Sequence, residues 1–149
     1  MSSSDTVLVI GGAGYIGSVA AATLVEKGYK IVVWDNFEKG HRDAVHPDAT
    51  LVEGDLRDPA LADRVFKSHS ISAVMHFGAY SLVGESMNDP DKYFKNNVEG
   101  GHYLLNAMRD HQIQRIVFSS TAAVYGNPSQ TPINEDLPKE PINPYGRSK

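Results

Sequence analysis

The sequence has no cysteine, no apolar run long enough to cross a bilayer and no basic cluster. The missing cysteine excludes disulfides, thiolate metal ligands and thiol catalysis, and it suits a reducing compartment, so we expect a cytoplasmic protein. Histidine and acidic residues show no metal-ligand spacing, so no metal is predicted. A net charge of −4 argues against nucleic acid and anionic membranes as partners. Residues 1–4 lack the apolar core of a signal peptide and are interpreted as a leader.

Short apolar runs rich in valine and isoleucine alternate along the chain with helical patterns. Runs that are apolar throughout are typical of parallel strands buried on both faces. The predicted strands are residues 6–10, 31–34, 51–52, 71–75 and 115–118. The alternation predicts a doubly wound α/β sheet of the Rossmann type with strand order 3-2-1-4-5.

Proline and glycine predict where helices begin and end. Asp58–Pro59 and Asp89–Pro90 each combine a capping side chain with a proline suited to the first turn, and the second of these helices is expected to run to about His111. Gly28 is expected just beyond the end of the first helix. The predicted apolar face of that first helix consists of Ile16, Val19, Ala20 and Leu24. Residues 36–50 fit either a loop or a short helix.

A glycine-rich turn, Gly-Gly-Ala-Gly-Tyr-Ile-Gly at 11–17, connects the first strand to the first helix. Gly11, Gly14 and Gly17 have the spacing that lets a backbone turn tightly and approach a pyrophosphate, while the helix N-terminus supplies N–H donors. A tight structural turn is the alternative. The strand–turn–helix context and Asp35 at the end of the second strand favour a dinucleotide site, and one dinucleotide-binding domain is predicted over residues 1–149.

Asp35 determines which dinucleotide is expected. Its carboxylate can accept hydrogen bonds from both hydroxyls of a ribose, whereas it would repel a 2′-phosphate by roughly 4 kcal/mol at about 4 Å and an effective dielectric constant of about 20. The nearest cationic residue is Lys39, and none adjoins Asp35 to reverse this preference. NAD is therefore predicted in preference to NADP, with a loop-capping role for Asp35 as the alternative.

Polar or small residues also follow the third, fourth and fifth strands, and ligands collect at the carboxyl ends of parallel strands. Asp55 could accept from the exocyclic amine of adenine or could cap its loop. Gly78 and Ala79 would let a flat cofactor lie close. Thr121 could donate to a substrate oxygen, although hydroxyl clusters after strands also form turns.

An apolar stripe on the helix after Asp89 includes one polar residue, Asn97. The stripe is interpreted as a core or dimer face. Its members are Tyr93, Asn97, Gly101, Leu104 or Leu105, and Met108. We expect Asn97 to meet another polar group.

The last five residues place Tyr145 four positions before Lys149. At the start of a helix this spacing puts both side chains on one face, and an ammonium beside a phenol stabilises the phenolate, so the pair can form a general base. The same spacing is common on surface helices, and here it gains weight from the glycine-rich turn. A chain that ends on such a lysine is expected to be the N-terminal part of a longer enzyme, truncated before its last strands.

Taken together, these residues resemble the extended short-chain dehydrogenase/reductases, and among them the NAD-dependent epimerases of nucleotide sugars. The resemblance covers nearly the whole chain in family order. The matching segments are residues 11–17, 35–37, 54–56, 76–77, 83–86, 96–98, 119–126 and 145–149.

The resemblance implies a role for each predicted site residue. Tyr15 and Ile16 would contact the pyrophosphate through their backbone, and Asn36 would join Asp35 at the ribose. The implied cofactor-binding residues are Gly11, Gly14, Tyr15, Ile16, Gly17, Asp35, Asn36, Asp55, Leu56, Phe77, Gly78, Ala79 and Asn97. The implied catalytic residues are Tyr145 as the base, Lys149 as its partner and Thr121 where the family has Ser or Thr.

The resemblance also implies an activity, the interconversion of UDP-hexose 4-epimers by transient hydride transfer at sugar C4, in a homodimer. Related 4,6-dehydratases place Asp-Glu after the threonine to move protons, and related decarboxylases keep a Glu at the second place, whereas this chain has Ala122–Ala123. Ser81 also departs from members that have Lys there. The nucleotide-sugar-binding part would follow Lys149, so the chain alone is expected to be inactive. Two alternatives stay open: an NAD-binding module without catalysis, and another extended short-chain reductase or nucleotide-sugar epimerase.

Overall fold

The computed structural model describes residues 5–149, so the predicted leader at 1–4 lies outside the described residues. The strands are β1 (Thr6–Ile10), β2 (Lys30–Asp35), β3 (Thr50–Glu53), β4 (Ile71–His76) and β5 (Ile116–Phe118). The α-helices are α1 (Tyr15–Glu26), α2 (Pro59–Ser68), α3 (Val83–Asn88), α4 (Pro90–Tyr93), α5 (Gly101–Asp110) and α6 (Pro144–Arg147). Short 3-10 turns lie at Arg42–Ala44 and Ala122–Tyr125, and a π-helical stretch, Phe94–Gly100, joins α4 to α5.

The chain forms two compact units. The sheet unit comprises the chain up to Gly78 together with Gly100–Ser119, and it contains all five strands. The helical unit comprises Ala79–Glu99 together with Ser120–Lys149. No helix among residues 5–149 is both long enough and apolar enough to span a bilayer.

The sheet is parallel throughout, with the order β3-β2-β1-β4-β5. In the central strand, Val9 is in register with Val33 of β2 and with Met75 of β4. The predicted Rossmann-type order is therefore confirmed. The order reverses between β1 and β4, which is where such sheets bind ligands outside their carboxyl ends.

The central strand β1 is buried on both faces, as its uninterrupted apolar sequence predicts. Val7 and Val9 pack on one side with Ala21 of α1. Leu8 and Ile10 pack on the other side in a cluster that includes side chains of α2 and α5. The sheet unit thus has helices on both faces of one sheet.

The predicted apolar face of α1 is wrong in part. Ile16 and Val19 are 59% and 57% exposed, whereas Gly17 and Ala21 are buried. Gly17 explains the difference, since a Cβ on it would lie 2.1 Å from the Gly11 carbonyl oxygen. The absence of a side chain brings this edge of the helix against the preceding turn, so α1 is rotated away from the face that its larger apolar residues suggest.

Both predicted aspartate caps are confirmed. Asp58 Oδ1 accepts from the N–H groups of Ala60 and Leu61, and Asp89 Oδ1 accepts from Lys92 N–H. The helix after Asp89 runs to Asp110 as expected, but it contains the π-helical stretch, and α3 precedes it without having been predicted. The open segment 36–50 forms a loop with one short turn of helix.

β5 forms one edge of the sheet. All three of its residues are exposed, and Val117 is 56% accessible to solvent. An exposed apolar edge of this kind favours pairing with another chain.

Candidate functional site

The glycine-rich turn lies against the end of β4. Gly11 has φ of +73°, and its N–H donates to Trp34 O at 2.8 Å. A Cβ on Gly11 would lie 2.6 Å from the backbone nitrogen of Gly78. Both the left-handed conformation and this close approach require glycine at position 11. The turn therefore takes the form that the sequence predicts, between the two strands at which the strand order reverses.

The N-terminus of α1 follows this turn and is suited to an anion. Gly14 is its N-cap residue, no side chain caps it, and its first turn contains no acidic residue. The first N–H groups of a helix have no intrahelical acceptors and carry positive partial charge. With a glycine turn in front, the end of the helix has the donors and the space that a pyrophosphate needs.

Asp35 ends β2 beside the same turn. Its Oδ2 accepts from Ala13 N–H at 3.0 Å and its Oδ1 accepts from Phe37 N–H at 2.9 Å, and the residue is 8% exposed. An ionised carboxylate offers about four acceptor positions, so about two are left for ribose hydroxyls. The loop-capping alternative and the predicted ribose contact are thus compatible, because one carboxylate has acceptors for both.

Arg42, which follows Asp35 and Lys39 along the chain, is already paired. Arg42 forms an ion pair with Glu53 and lies over the ring of Phe37, with 4.3 Å between the guanidinium carbon and the ring centroid. Its charge is therefore balanced by Glu53. This arrangement supports the prediction that Asp35 sets a preference against a 2′-phosphate.

Asp55, after β3, has the loop-capping role that was the alternative. It accepts four N–H groups, which come from the backbone, Nε and a terminal nitrogen of Arg57 and from Asn36 Nδ2. The side-chain hydrogen bonds from Arg57 hold the pKa of Asp55 down at about 2. Since these bonds fill its acceptor positions, a contact with adenine would have to displace one of them. The adenine contact stays a prediction.

Leu56 and Asn97 were predicted near the cofactor, but their side chains are used elsewhere. Leu56 is 8% exposed and packs in the core cluster between the sheet and α2 and α5. The Asn97 amide is hydrogen-bonded entirely to protein groups. Any cofactor contact by these residues would therefore use the backbone, and it stays a prediction.

In the helical unit, α6 presents the predicted tyrosine. Asn143 Oδ1 caps it by accepting from Gly146 N–H at 2.7 Å, and Pro144 occupies its first position. The turn continues through Ser148, whose N–H donates to Pro144 O at 2.9 Å. The helix that the sequence predicts to begin here is confirmed, and its start is set by an Asn-Pro pair.

The ring of Tyr145 packs against a second tyrosine. The Tyr93 ring meets it edge to face, with centroids 6.3 Å apart at 74°. Tyr93 Oη lies 2.7 Å from both Leu82 O and Glu85 Oε2, and it accepts from Leu82 N–H. Burial, with a smaller effect from the Glu85 hydrogen bond, raises the pKa of Tyr93 to about 12. Tyr93 therefore stays a neutral phenol that supports Tyr145.

Lys149 follows α6 and is partly withdrawn from water. Burial lowers its pKa to about 8. At neutral pH the side chain is still mostly an ammonium, but an increase of one or two pH units neutralises it. Perturbed pKa values cluster at functional sites, so this shift fits the role predicted for Lys149.

Thr121 and α6 come together through a glycine that the sequence analysis missed. Thr121 Oγ1 accepts from Ala123 N–H at 3.2 Å, which leaves its O–H free to donate. A Cβ on Gly146 would lie 2.6 Å from Ala123 O, so only glycine lets α6 pack this closely against the Thr121 turn. The signal in the sequence was a glycine inside a predicted helix, next to the proposed base.

The predicted site residues divide between the two units. The sheet unit contains Gly11, Gly14, Tyr15, Ile16, Gly17, Asp35, Asn36, Asp55, Leu56, Phe77 and Gly78, and the helical unit contains Ala79, Asn97, Thr121, Tyr145 and Lys149. In the first set, Asp35 lies beside the glycine turn, since it accepts from Ala13 N–H. In the second set, Thr121 and Tyr145 lie on elements that pack together.

This sheet order, with a glycine turn before an uncapped helix and an acid ending the second strand, defines a dinucleotide-binding protein of the Rossmann type. The model of the NAD dependent epimerase/dehydratase family matches residues 7–149, and the chain belongs to this family. The family that the sequence resembles is thereby confirmed.

Three similar proteins are named UDP-glucose 4-epimerase. The UDP-glucose 4-epimerase of Halalkalibacterium halodurans is 52% identical over 143 residues, which are 96% of this chain and 42% of the relative. The crystal structure of UDP-glucose 4-epimerase from Brucella ovis in complex with NAD is 47% identical, with a TM-score of 0.94, over 97% of this chain and 44% of that one. The Bifidobacterium longum enzyme, solved with NAD+ and UDP, is 39% identical, with a TM-score of 0.92, over 97% and 45%. The chain thus spans less than half the length of these proteins.

Proposed function

We propose that the full-length protein carrying this chain is an NAD-dependent UDP-glucose 4-epimerase, which interconverts UDP-glucose and UDP-galactose. The observation that carries the proposal is the pair of Tyr145 in α6 and Lys149 just after it, in a chain that belongs to the NAD dependent epimerase/dehydratase family. Relatives with about half of their matched residues identical have this name. A cytoplasmic location and a homodimer stay predictions.

NAD is the proposed cofactor, and the sheet unit has the features that would hold it. The glycine turn and the uncapped N-terminus of α1 suit the pyrophosphate, and Asp35 keeps free acceptor positions for the ribose hydroxyls. When bound, NAD would supply the acceptor and donor of hydride for the sugar C4. Arg42 is paired with Glu53, and the Asp35 charge is the proposed reason to prefer NAD over NADP.

Tyr145 is proposed to remove and return the proton of the sugar 4-hydroxyl. Lys149 stabilises the phenolate, since one ammonium at about 5 Å contributes roughly 3 kcal/mol at an effective dielectric constant of about 20. With a pKa of about 8, most Lys149 side chains carry this charge at neutral pH. Thr121 is proposed to donate a hydrogen bond from its hydroxyl to the same sugar oxygen and so to orient the sugar. The position of Thr121 Oγ1 is fixed because it accepts from Ala123 N–H.

The residues after Thr121 favour epimerisation over water loss. A 4,6-dehydration needs an acid and a base to carry protons between carbons. Ala122 and Ala123 occupy the positions where the related dehydratases place Asp-Glu, and a methyl group carries no proton. We therefore propose oxidation and reduction at a single carbon without net redox change.

Activity is tested by incubating the full-length protein with UDP-galactose and following UDP-glucose. Tyr145→Phe should remove most turnover and Thr121→Ala a smaller part, since the threonine orients the sugar oxygen while the tyrosine moves its proton. Tyr29→Phe, a partly buried phenol of the sheet unit, is the matched control and should retain activity. A 4-keto-6-deoxy product, or full activity in Tyr145→Phe, would contradict the proposal.

The cofactor preference is tested by calorimetric titration with NAD and NADP. NAD should bind more tightly, and Asp35→Ala should narrow the difference because it removes the charge beside the 2′ position. Asp43→Ala, which removes an exposed carboxylate from the neighbouring turn, should leave the preference unchanged. Equal affinities for the two cofactors in the unaltered protein would refute this assignment.

A further inference from the structure

Ser148 lies in the sequence between Tyr145, the proposed general base, and Lys149, its partner. The Ser148 hydroxyl is buried and takes part in two hydrogen bonds. Its Oγ donates to Tyr145 O at 2.8 Å and accepts from Asn97 Nδ2 at 2.9 Å. Ser148 is 6% exposed. Its N–H also donates to the carbonyl oxygens of Pro144 and Tyr145, so this one residue closes the turn that presents Tyr145.

Asn97 and Tyr145 are connected through the Ser148 hydroxyl, and we call these two hydrogen bonds the Ser148 tie. The amide of Asn97 is fixed in one orientation. Its Oδ1 accepts from Tyr80 N–H and from Asn96 Nδ2, both at 2.9 Å, and its Nδ2 donates to Tyr80 O at 3.0 Å and to Ser148 Oγ. An amide side chain has two donors and two acceptor lone pairs, so every position is filled. The backbone N–H of Tyr80 identifies the oxygen and fixes the amide orientation.

The π-helical stretch contains two neighbouring asparagines that are both buried, Asn96 and Asn97. Both asparagines lie within Phe94–Gly100, and they are 9% and 4% exposed. A π-helical turn widens the backbone, and such turns are frequent at functional sites. The stretch thus brings a rigid pair of amides to the hydroxyl of Ser148.

We infer that Ser148 is a positioning residue, which ties the Tyr145 turn to Asn97 and so sets the placement of the following Lys149. The catalytic roles of Tyr145 and Lys149 rest on the proposed function, whereas the hydrogen bonds of the Ser148 tie do not depend on it. In the chain from Asn97 Nδ2 through Ser148 Oγ to Tyr145 O, every donor has an acceptor. Removing the hydroxyl leaves a buried Asn97 donor unsatisfied and loosens the turn at the position that directly precedes Lys149.

Lys149 reports on this tie, because its pKa of about 8 depends on its burial. A looser turn lets water reach the ammonium and moves its titration toward the ordinary value of 10.5. We therefore expect Ser148→Ala to raise the Lys149 titration midpoint by about half a pH unit or more. Ser148→Thr keeps the hydroxyl and should restore the midpoint.

The titration is followed by NMR of 13Cε-labelled lysine in the full-length protein, with the Lys149 signal assigned by Lys149→Arg. Ser86→Ala is the matched control, since it removes another buried hydroxyl of the helical unit, one that donates to Val83 O and not to α6. This control should lower stability without moving the Lys149 midpoint. A double variant tests the path: once Asn97→Ala is present, Ser148→Ala should add little further shift.

Each outcome decides the inference. A midpoint that rises in Ser148→Ala, recovers in Ser148→Thr and does not move in Ser86→Ala supports it. An unchanged midpoint in Ser148→Ala overturns it, as does an equal shift in Ser86→Ala, which would indicate general loosening. Because the titration needs no turnover, a protein without epimerase activity contradicts the proposed function and leaves this inference to be judged by the NMR result alone.

Discussion

Gly17 allows a direct test of how the glycine turn is built. A Cβ at this position would lie 2.1 Å from Gly11 O and 2.8 Å from Gly11 C, both backbone atoms that cannot rotate away. Since carbon contacts are favourable only near 3.5 Å, the turn and α1 would have to separate by about 1.4 Å in Gly17→Ala. The substitution therefore acts on the backbone that would hold the pyrophosphate.

The expected loss can be estimated from two opposing effects. Overpacking of a closed site costs about 1–3 kcal/mol, and against backbone atoms the cost lies at the upper end. Alanine in a helix gains about 1 kcal/mol over glycine. The net loss in the free energy of unfolding is thus about 2 kcal/mol, or about 4–8 °C in melting temperature for a chain of this size. NAD affinity should also fall at least about tenfold, because the donors move.

Gly101→Ala provides the matched control within the sheet unit. This glycine opens α5, and a Cβ on it would meet no atom within 4 Å. Here the helix propensity acts alone, so we expect about 1 kcal/mol of stabilisation. Thermal unfolding by circular dichroism and calorimetric titration with NAD should be measured on both variants. If Gly17→Ala melts no lower than Gly101→Ala and binds NAD normally, the close approach of α1 to the turn is refuted.

Three further predictions concern stability and association. Asp58→Ala should lower the free energy of unfolding by about 1 kcal/mol in urea titrations, because two N–H groups of α2 lose their cap, and a loss no larger than in Asp43→Ala would contradict this. Lys149 has a lowered pKa in the folded chain, so the unfolded state binds more protons between about pH 8 and pH 10.5. The free energy of unfolding should therefore rise with pH over this range, and it should rise less in Lys149→Met. The exposed edge strand β5 should make this 149-residue chain self-associate, and we expect no epimerase turnover from it. Val117→Glu should reduce the mass of the associated species in light-scattering chromatography. A monomer with normal turnover would show the expectation to be wrong.

The sheet and its helix caps were predictable because their signals are local. Strands such as β1 are apolar throughout, which places them inside a parallel sheet with both faces covered. The caps at Asp58 and Asp89 depend on N–H groups two or three residues away, so the sequence contains all the parts. The glycine turn and Asp35 were predictable for a related reason, since the spacing of a strand, a turn and a helix is set by the chain itself.

Other features depend on groups that packing brings together from far along the chain. The buried face of α1 is set by Gly17 against Gly11, and helical periodicity does not contain that contact. Asp55 carries the signal of a ligand contact, yet its acceptors are filled by Arg57 and Asn36. A hydrogen-bonding residue type indicates what a side chain can do, whereas its neighbours in space decide what it does.

For the proposed base, the sequence by itself determined the chemical pair, and the tertiary structure decided how that pair is held. Tyr145 and Lys149 are four residues apart, a spacing that any helix start converts into one face. Their support comes from Tyr93, from Gly146 against Ala123, and from the Asn97–Ser148 bond, whose partners are 51 residues apart. Such contacts follow from close packing of distant segments and from the need to satisfy every buried donor, conditions that exist only after the chain has folded.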